Sequence, residues 1–116
     1  MLPTNRRVKK EAFAQIMKEG LFVSGDNFYL RLLDRQDSQP SLFGFVVPIK
    51  VKKTSAGRHF IKRKMSASVE TVICQTKSGL SVVFFAKKDP LPPYIQITTE
   101  ILALLKKAKV LKEGKN

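Results

Sequence analysis

Seven of the fifteen residues from Lys50 to Lys64, KVKKTSAGRHFIKRK, are Lys or Arg, and none is acidic. Arg58, Lys62 and Lys64, with Arg63 adjacent, recur at helical intervals and are expected near one side of a helix. Lys50, Lys52 and Lys53 lie just upstream, on the connection leading into it. Phosphate oxygens favour a helix N-terminus for its free N–H groups, and neighbouring cations add direct neutralisation. An Arg fork fits two phosphate oxygens, whereas Lys acts as a point charge. A merely solvated surface mixes signs. This stretch does not, so it predicts a polyanionic partner held by Lys50, Lys52, Lys53, Arg58, His59, Lys62, Arg63 and Lys64.

Catalytic groups are harder to find. The nine acids are scattered along the chain, and no pair has a spacing suited to acid/base work. There is no phosphate-cradling glycine loop and no nucleophile elbow. His59 is the only imidazole; set among cations, it reads as a nucleic-acid or packing contact rather than a general base. A single Cys and a single His leave little material for a zinc site or a Cys/His pair. Cys74, beside Val72 and Ile73 on a predicted helix, is expected to be a buried, inert thiol. The sequence predicts neither a catalytic residue nor a protein-borne metal.

A second surface combines aromatics and cations: Phe13, Met17, Tyr29 and Arg31. Single-stranded RNA is commonly held by aromatic or Arg planes beside a positive groove. The spacing alone leaves open whether Phe13 and Met17 stand exposed or simply face the core.

Composition agrees with a binding protein. The formal charge is +13 in 116 residues and the pI is about 10.2, a field that attracts nucleic acid or anionic membrane surface. With 43% hydrophobic residues, the chain can close one compact domain, burying about two-thirds of its unfolded surface. The start, MLPTNRRVKK, lacks a signal-peptide apolar core. No apolar run approaches the roughly 18 residues of a membrane span. A cytoplasmic location without a membrane partner is the expectation.

The elements that must position these residues follow from periodicity. Residues 8–19 predict a helix with Ala12, Phe13, Ile16 and Met17 on its stripe and Gly20 at its end. A short strand at Leu21–Ser24 and a turn at Gly25-Asp26-Asn27 come next. Phe28–Leu33 alternates, with Phe28, Leu30 and Leu32 on one face and Tyr29, Arg31 and Leu33 on the other. Asp34–Ser41 reads as a hairpin loop, and Leu42–Ile49 as a buried strand in which Gly44 marks a close approach and Pro48 ends pairing. A helix is expected from about Gly57 to Lys77, capped by Thr54 or Ser55, with Ile61, Met65, Val69, Val72 and Ile73 inward. Leu80–Ala86 predicts a strand long enough to be central. A proline-rich loop over residues 87–93 and a last helix near Thr98–Leu111 complete the chain, with frayed final residues. The sum is one α+β sandwich over residues 1–116, a mainly antiparallel four-stranded sheet with three helices.

In that order, the motifs resemble the protein component of bacterial ribonuclease P over about 110 residues. Leu2-Pro3 and the basic Asn5-Arg6-Arg7 stretch open it as family members do. Lys9, Lys10, Phe13 and Gly20 fit the family's helix that opens on Lys-Lys, carries a Phe and ends in Gly, with two residues here between Lys10 and Phe13 where the family has three. Gly44 and Lys50-Val51 match the strand and connection that follow. Of the family's Arg-Asn-Arg-x-Lys-Arg helix start, Arg58, Lys62 and Arg63 are present, while His59 replaces the Asn and Phe60 the second Arg. One extra residue lies between Lys50 and Arg58, Pro48 and Ile49 stand where small polar and Lys residues are usual, and Ser66 and Ser68 stand where further Arg is usual.

The resemblance implies a left-handed βαβ crossover and binding to the catalytic ribonuclease P RNA through Arg58, Lys62 and Arg63. It implies a cleft, between the sheet and the basic helix, for the single-stranded 5′ leader of precursor tRNA. By position, Phe13, Met17 and Arg31 fall in that leader site, although Met17 and Arg31 replace the usual aromatics. The resemblance further implies that hydrolysis belongs to the RNA and its Mg²⁺, and that the chain is a subunit of a tRNA-processing endoribonuclease and not catalytic alone. No obligate protein partner is evident. A general RNA-binding or ribosome-associated module, without leader preference, is the alternative that the altered signature motivates.

Overall fold

The computed structural model describes Leu2, residues 4–87 and residues 93–112. The expected proline-rich loop and the frayed C-terminus fall largely outside them. Four strands form one sheet: β1 (Leu21–Ser24), β2 (Phe28–Asp34), β3 (Leu42–Val46) and β4 (Leu80–Ala86). Their order is β1-β2-β4-β3. β1 pairs antiparallel with β2, and β2 with β4, but β3 runs parallel to β4. Three helices accompany them: α1 (Phe13–Glu19), α2 (Ser55–Glu70) and α3 (Tyr94–Lys107). The fold is an α+β sandwich on a mixed sheet.

The sheet departs from the sequence expectation at one connection. Asp34–Ser41 is not a hairpin loop, because β4 lies between β2 and β3. β4 is the reason: all seven of its residues are buried, and a strand apolar on both faces belongs at the centre of a sheet. β3 is then displaced to an edge. Only Phe43 within it is buried, and Ile49, expected in the same buried strand, is exposed. Arg35 shapes the replaced loop, bonding the Asp37 carboxylate and the carbonyl oxygens of Leu80 and Pro40. Its guanidinium holds the Asp37 carboxyl below the usual carboxylate value.

The two sheet faces are covered differently. Phe28, Leu30 and Leu32 of β2 join Val82 and Phe84 of β4 under α2 and α3. α2 contributes Ile61, Met65 and Val69, spaced by four, and α3 contributes Ile101, Leu104 and Leu105. Burying each such side chain contributes about 1.5–3 kcal/mol. On the opposite face, Ile16 of α1 and Val8 pack with Val83 and Phe85, flanked by Phe13, Tyr29 and Val46.

Helix limits also moved. α1 begins at Phe13 instead of residue 8, because the preceding chain is used on the β3 edge: Arg7 bridges to Phe43 and the Val8 amide donates to the Phe43 carbonyl oxygen. α2 stops at Glu70, well short of Lys77. Val72 leaves helical geometry, and Ile73–Gln75 forms a separate 3-10 turn. Cys74 therefore sits exposed on that turn and is not a buried thiol. α3 lies about four residues earlier than expected at both ends, and Lys109 just after it has positive φ.

Candidate nucleic-acid interface

The basic connection is built on two anchors. Val51 is buried, so Lys50 and Lys52 on either side of it point out and are exposed. The Pro48 carbonyl oxygen accepts from the amides of Val51 and Lys52 and closes the turn. Thr54 caps α2, its side chain accepting from the Gly57 amide, as a Thr at that position should. Arg58 reaches back from the first helical turn, its Nη1 donating to the carbonyl oxygens of Lys52 at 3.0 Å and Lys53 at 2.8 Å. Lys50, Lys52 and Lys53 thus ring an open hollow of about 280 Å³ at the start of α2.

The remaining cations do not share one side of the helix, as the sequence led us to expect for Arg58, Lys62 and Lys64. Lys62 and Lys64 are two residues apart, hence about 200° around the helix. Lys62 faces a cleft of about 240 Å³ that it lines with Phe13, Gly44, Arg7 and Ser66. Arg63 and Lys64 line a different hollow with Phe60 and Ala67. His59 is exposed. The charge wraps α2 instead of forming a single face.

The two buried serines explain part of the altered pattern. Ser66 is 1% exposed and accepts from the Leu2 amide. Ser68 is 2% exposed, donates to the Lys64 carbonyl oxygen and accepts from the Thr98 hydroxyl of α3. These positions receive the N-terminal segment and α3, and a guanidinium there would have to be buried.

The expected leader residues lie with α1 on the sheet face opposite α2. α2 packs on the face carrying Leu30 and Phe84, whereas Tyr29, Arg31 and Leu33 alternate to the other face, where α1 lies. A cleft between the sheet and α2 therefore cannot hold Met17 and Arg31 together with Phe13. Phe13 alone reaches both regions. It borders the Lys62 cleft around the β3 edge, and its ring tip lies 3.2 Å from where a Cβ on Gly44 would stand. That contact is the close approach the glycine was expected to mark.

Around Arg31 the open sheet face is aromatic. Tyr29 stacks on Phe85 with centroids 4.7 Å apart and planes at 8°. Phe22 tilts against Tyr29 at 5.1 Å. The Arg31 guanidinium lies 5.3 Å from the Phe22 centroid, a cation–π distance. Phe22 is 53% exposed and Met17 41%. The buried Nε of Arg31 has no hydrogen-bond partner. Phe22 and Phe85 escaped sequence reasoning. Alternation could place each on a face, but only the register pairing Tyr29 with Phe85 and Phe22 with Arg31 joins them.

Among the described residues no group of three or more His, Cys, Asp or Glu converges to hold a metal ion, and no helix is long and apolar enough to cross a membrane. Glu100, one of the scattered acids, is structural: it accepts from the amides of Asn27 and Phe28 and from the Asn27 side chain.

Comparison with known proteins places this geometry. A family model described as Ribonuclease P matches residues 1–109. A ribonuclease P protein component from Pseudanabaena sp. (strain PCC 6903) is 30% identical over 113 residues, covering 96% of this chain and 97% of that protein. The structure of the Staphylococcus aureus RNase P protein aligns with a TM-score of 0.84 at 21% identity, over 95% of this chain and all of that one. The Thermotoga maritima RNase P protein aligns with a TM-score of 0.75, also at 21% identity, over 93% and 98% of the two chains. The two structural likenesses bear on the fold.

Proposed function

Because the chain belongs to the ribonuclease P protein family, we propose that it is the RNA-binding subunit of a ribonucleoprotein that matures the 5′ end of tRNA. One observation carries the reading beyond family membership. The acid-free cationic segment is fixed onto a folded helix by the Thr54 cap, the Arg58 clamp and buried Val51. A preorganised array of this kind loses little conformational entropy on meeting a phosphate backbone.

In this reading the catalytic RNA lies against Lys50, Lys52 and Lys53 and along α2, where Arg58, Lys62 and Arg63 present charge. Arg58 acts partly by shaping the connection, since one of its nitrogens is already spent on the Lys52 and Lys53 carbonyls. The single-stranded leader of precursor tRNA takes the aromatic sheet face beside α1. Its bases stack on Phe22 and Tyr29, and Arg31 supplies charge. As the family resemblance implies, the Mg²⁺ that hydrolysis requires would be held by the RNA. The protein positions substrate and RNA, and transfers no proton itself.

Reconstitution tests this. Added to its cognate RNA, the protein should raise cleavage of precursor tRNA at low Mg²⁺. No gain at any salt concentration overturns the reading. Binding that ignores the presence of a leader would instead indicate a general RNA-binding module.

A further inference from the structure

A groove lies beyond the C-terminal end of α2, away from the surfaces assigned to RNA. Thr99, Leu102, Ala103 and Lys106 line it from α3, spaced by three, one and three and therefore on one strip of that helix. Val72, Gln75 and Leu111 complete the lining of an open hollow of about 430 Å³. Val72, Leu102 and Leu111 rest against the core and are only partly buried. The Thr99 hydroxyl donates to the Ile95 carbonyl oxygen, so its polar atom is satisfied within the helix. Ile95, one turn earlier on the same strip, is 79% exposed. The lining is mainly aliphatic, and neither an acid nor an aromatic contributes to it.

Chemistry and shape select the occupant. An RNA base gains from aromatic or Arg planes, and this lining has none. A bilayer is flat and leaves a hollow unfilled, whereas a projecting Leu or Ile side chain fills it. A second copy of a chain charged +13 is repelled. The rim does carry cations: Lys106 lines the hollow, Lys112 follows Leu111, and both are exposed. Carboxylates complement them. We propose that this groove docks an amphipathic helix of a partner protein, with aliphatic anchors at i, i+3, i+4 and i+7 and acids beside them. The 16 residues of α2 span about 24 Å and separate the groove from the hollow at Lys50, Lys52 and Lys53. The proposal therefore stands apart from the RNA-binding reading.

Cys74, exposed on the turn between Val72 and Gln75, is the chain's one Cys and accepts a solvent-sensitive fluorophore beside the groove. The labelled protein should be titrated with a helical peptide of about four turns, carrying Leu at those four positions and Glu and Ala elsewhere. A scrambled peptide of equal composition and charge is the control. The ordered peptide should shift the emission to the blue and bind roughly tenfold tighter than the scrambled one, the scale of one buried leucine. Ala103→Gln fills the hollow without changing charge and suits a helix. It should abolish that preference while affinity for single-stranded RNA stays at the wild-type value. Equal affinity for the two peptides, or an undiminished preference in Ala103→Gln, overturns the proposal. An equal emission shift with single-stranded RNA or anionic vesicles, lost in Ala103→Gln, would give the groove to that ligand and overturn it too.

Discussion

The Nη1 atom of Arg58 donates to the carbonyl oxygen of Lys53 at 2.8 Å. The same nitrogen serves Lys52 at 3.0 Å, so one guanidinium folds the connection carrying those lysines against the first turn of α2. Charge and geometry are thereby coupled in a single residue. Arg58→Lys keeps the charge and loses the fork. We expect faster hydrogen exchange at the amides of residues 52–57 and a several-fold loss of RNA affinity. An exchange profile equal to wild type would show that the clamp does not order the connection.

The ionic mode can be read from salt. If about five phosphates are neutralised, log affinity should fall with log salt at a slope of roughly −3.5 to −4.5. Lys53→Ala, at an exposed position, should make that slope shallower by about 0.7–0.9. A nearly flat dependence would remove the phosphate contacts from the account.

Gly44 offers a packing test. An added Cβ would stand 3.2 Å from the ring tip of Phe13 and 3.4 Å from Val8 Cβ. Gly44→Ala requires Phe13 to yield by a few tenths of an ångström. Gly44→Val demands more and should cost about 1–3 kcal/mol, as overpacking does. Denaturant titration reads the cost. Chemical shifts at Lys62, which shares the cleft with Phe13, should report the displacement.

Glu100 gives a stability test remote from the cations. Its carboxylate accepts from the Asn27 and Phe28 amides and from Asn27 Nδ2, tying α3 to the β1–β2 turn. Removing it leaves those donors to compete for water, a loss of about 1–3 kcal/mol. Glu100→Ala should lower stability by that much while RNA affinity stays near wild type. A large fall in RNA affinity without a stability loss would assign Glu100 to the interface.

The aromatic face predicts selectivity. Tyr29 lies between Phe22 and Phe85. Tyr29→Ala should weaken binding of leader-bearing precursor tRNA by roughly tenfold and leave leaderless tRNA little changed. Filter binding of both species decides it, and equal losses would move the leader elsewhere.

The alternation of Phe28 to Leu33 sorted its residues onto the correct faces, and the fully apolar Leu80–Ala86 run announced a central strand. Thr54 as cap, Gly20 as helix end and Gly44 as a close approach were also legible, because each is a local steric or hydrogen-bonding requirement. The hairpin reading of Asp34–Ser41 failed because a polar loop has the same composition whether its strands pair or are separated. The burial expected for Cys74 failed because the apolar positions of α2 run on past the point where Val72 leaves helical geometry.

What the sequence determined by itself is the charge, the elements and the family resemblance, since these depend on residue type and on spacing within a few turns. Tertiary structure alone decided the parallel placement of β3 beside β4, with β4 inserted before it. It also decided that Lys62 and Lys64 serve opposite sides of α2, and that Phe22, Tyr29, Arg31 and Phe85 make one surface. Those are relations between residues distant in the chain. Strand register and helix docking bring them together through burial of a shared core, which no local pattern encodes.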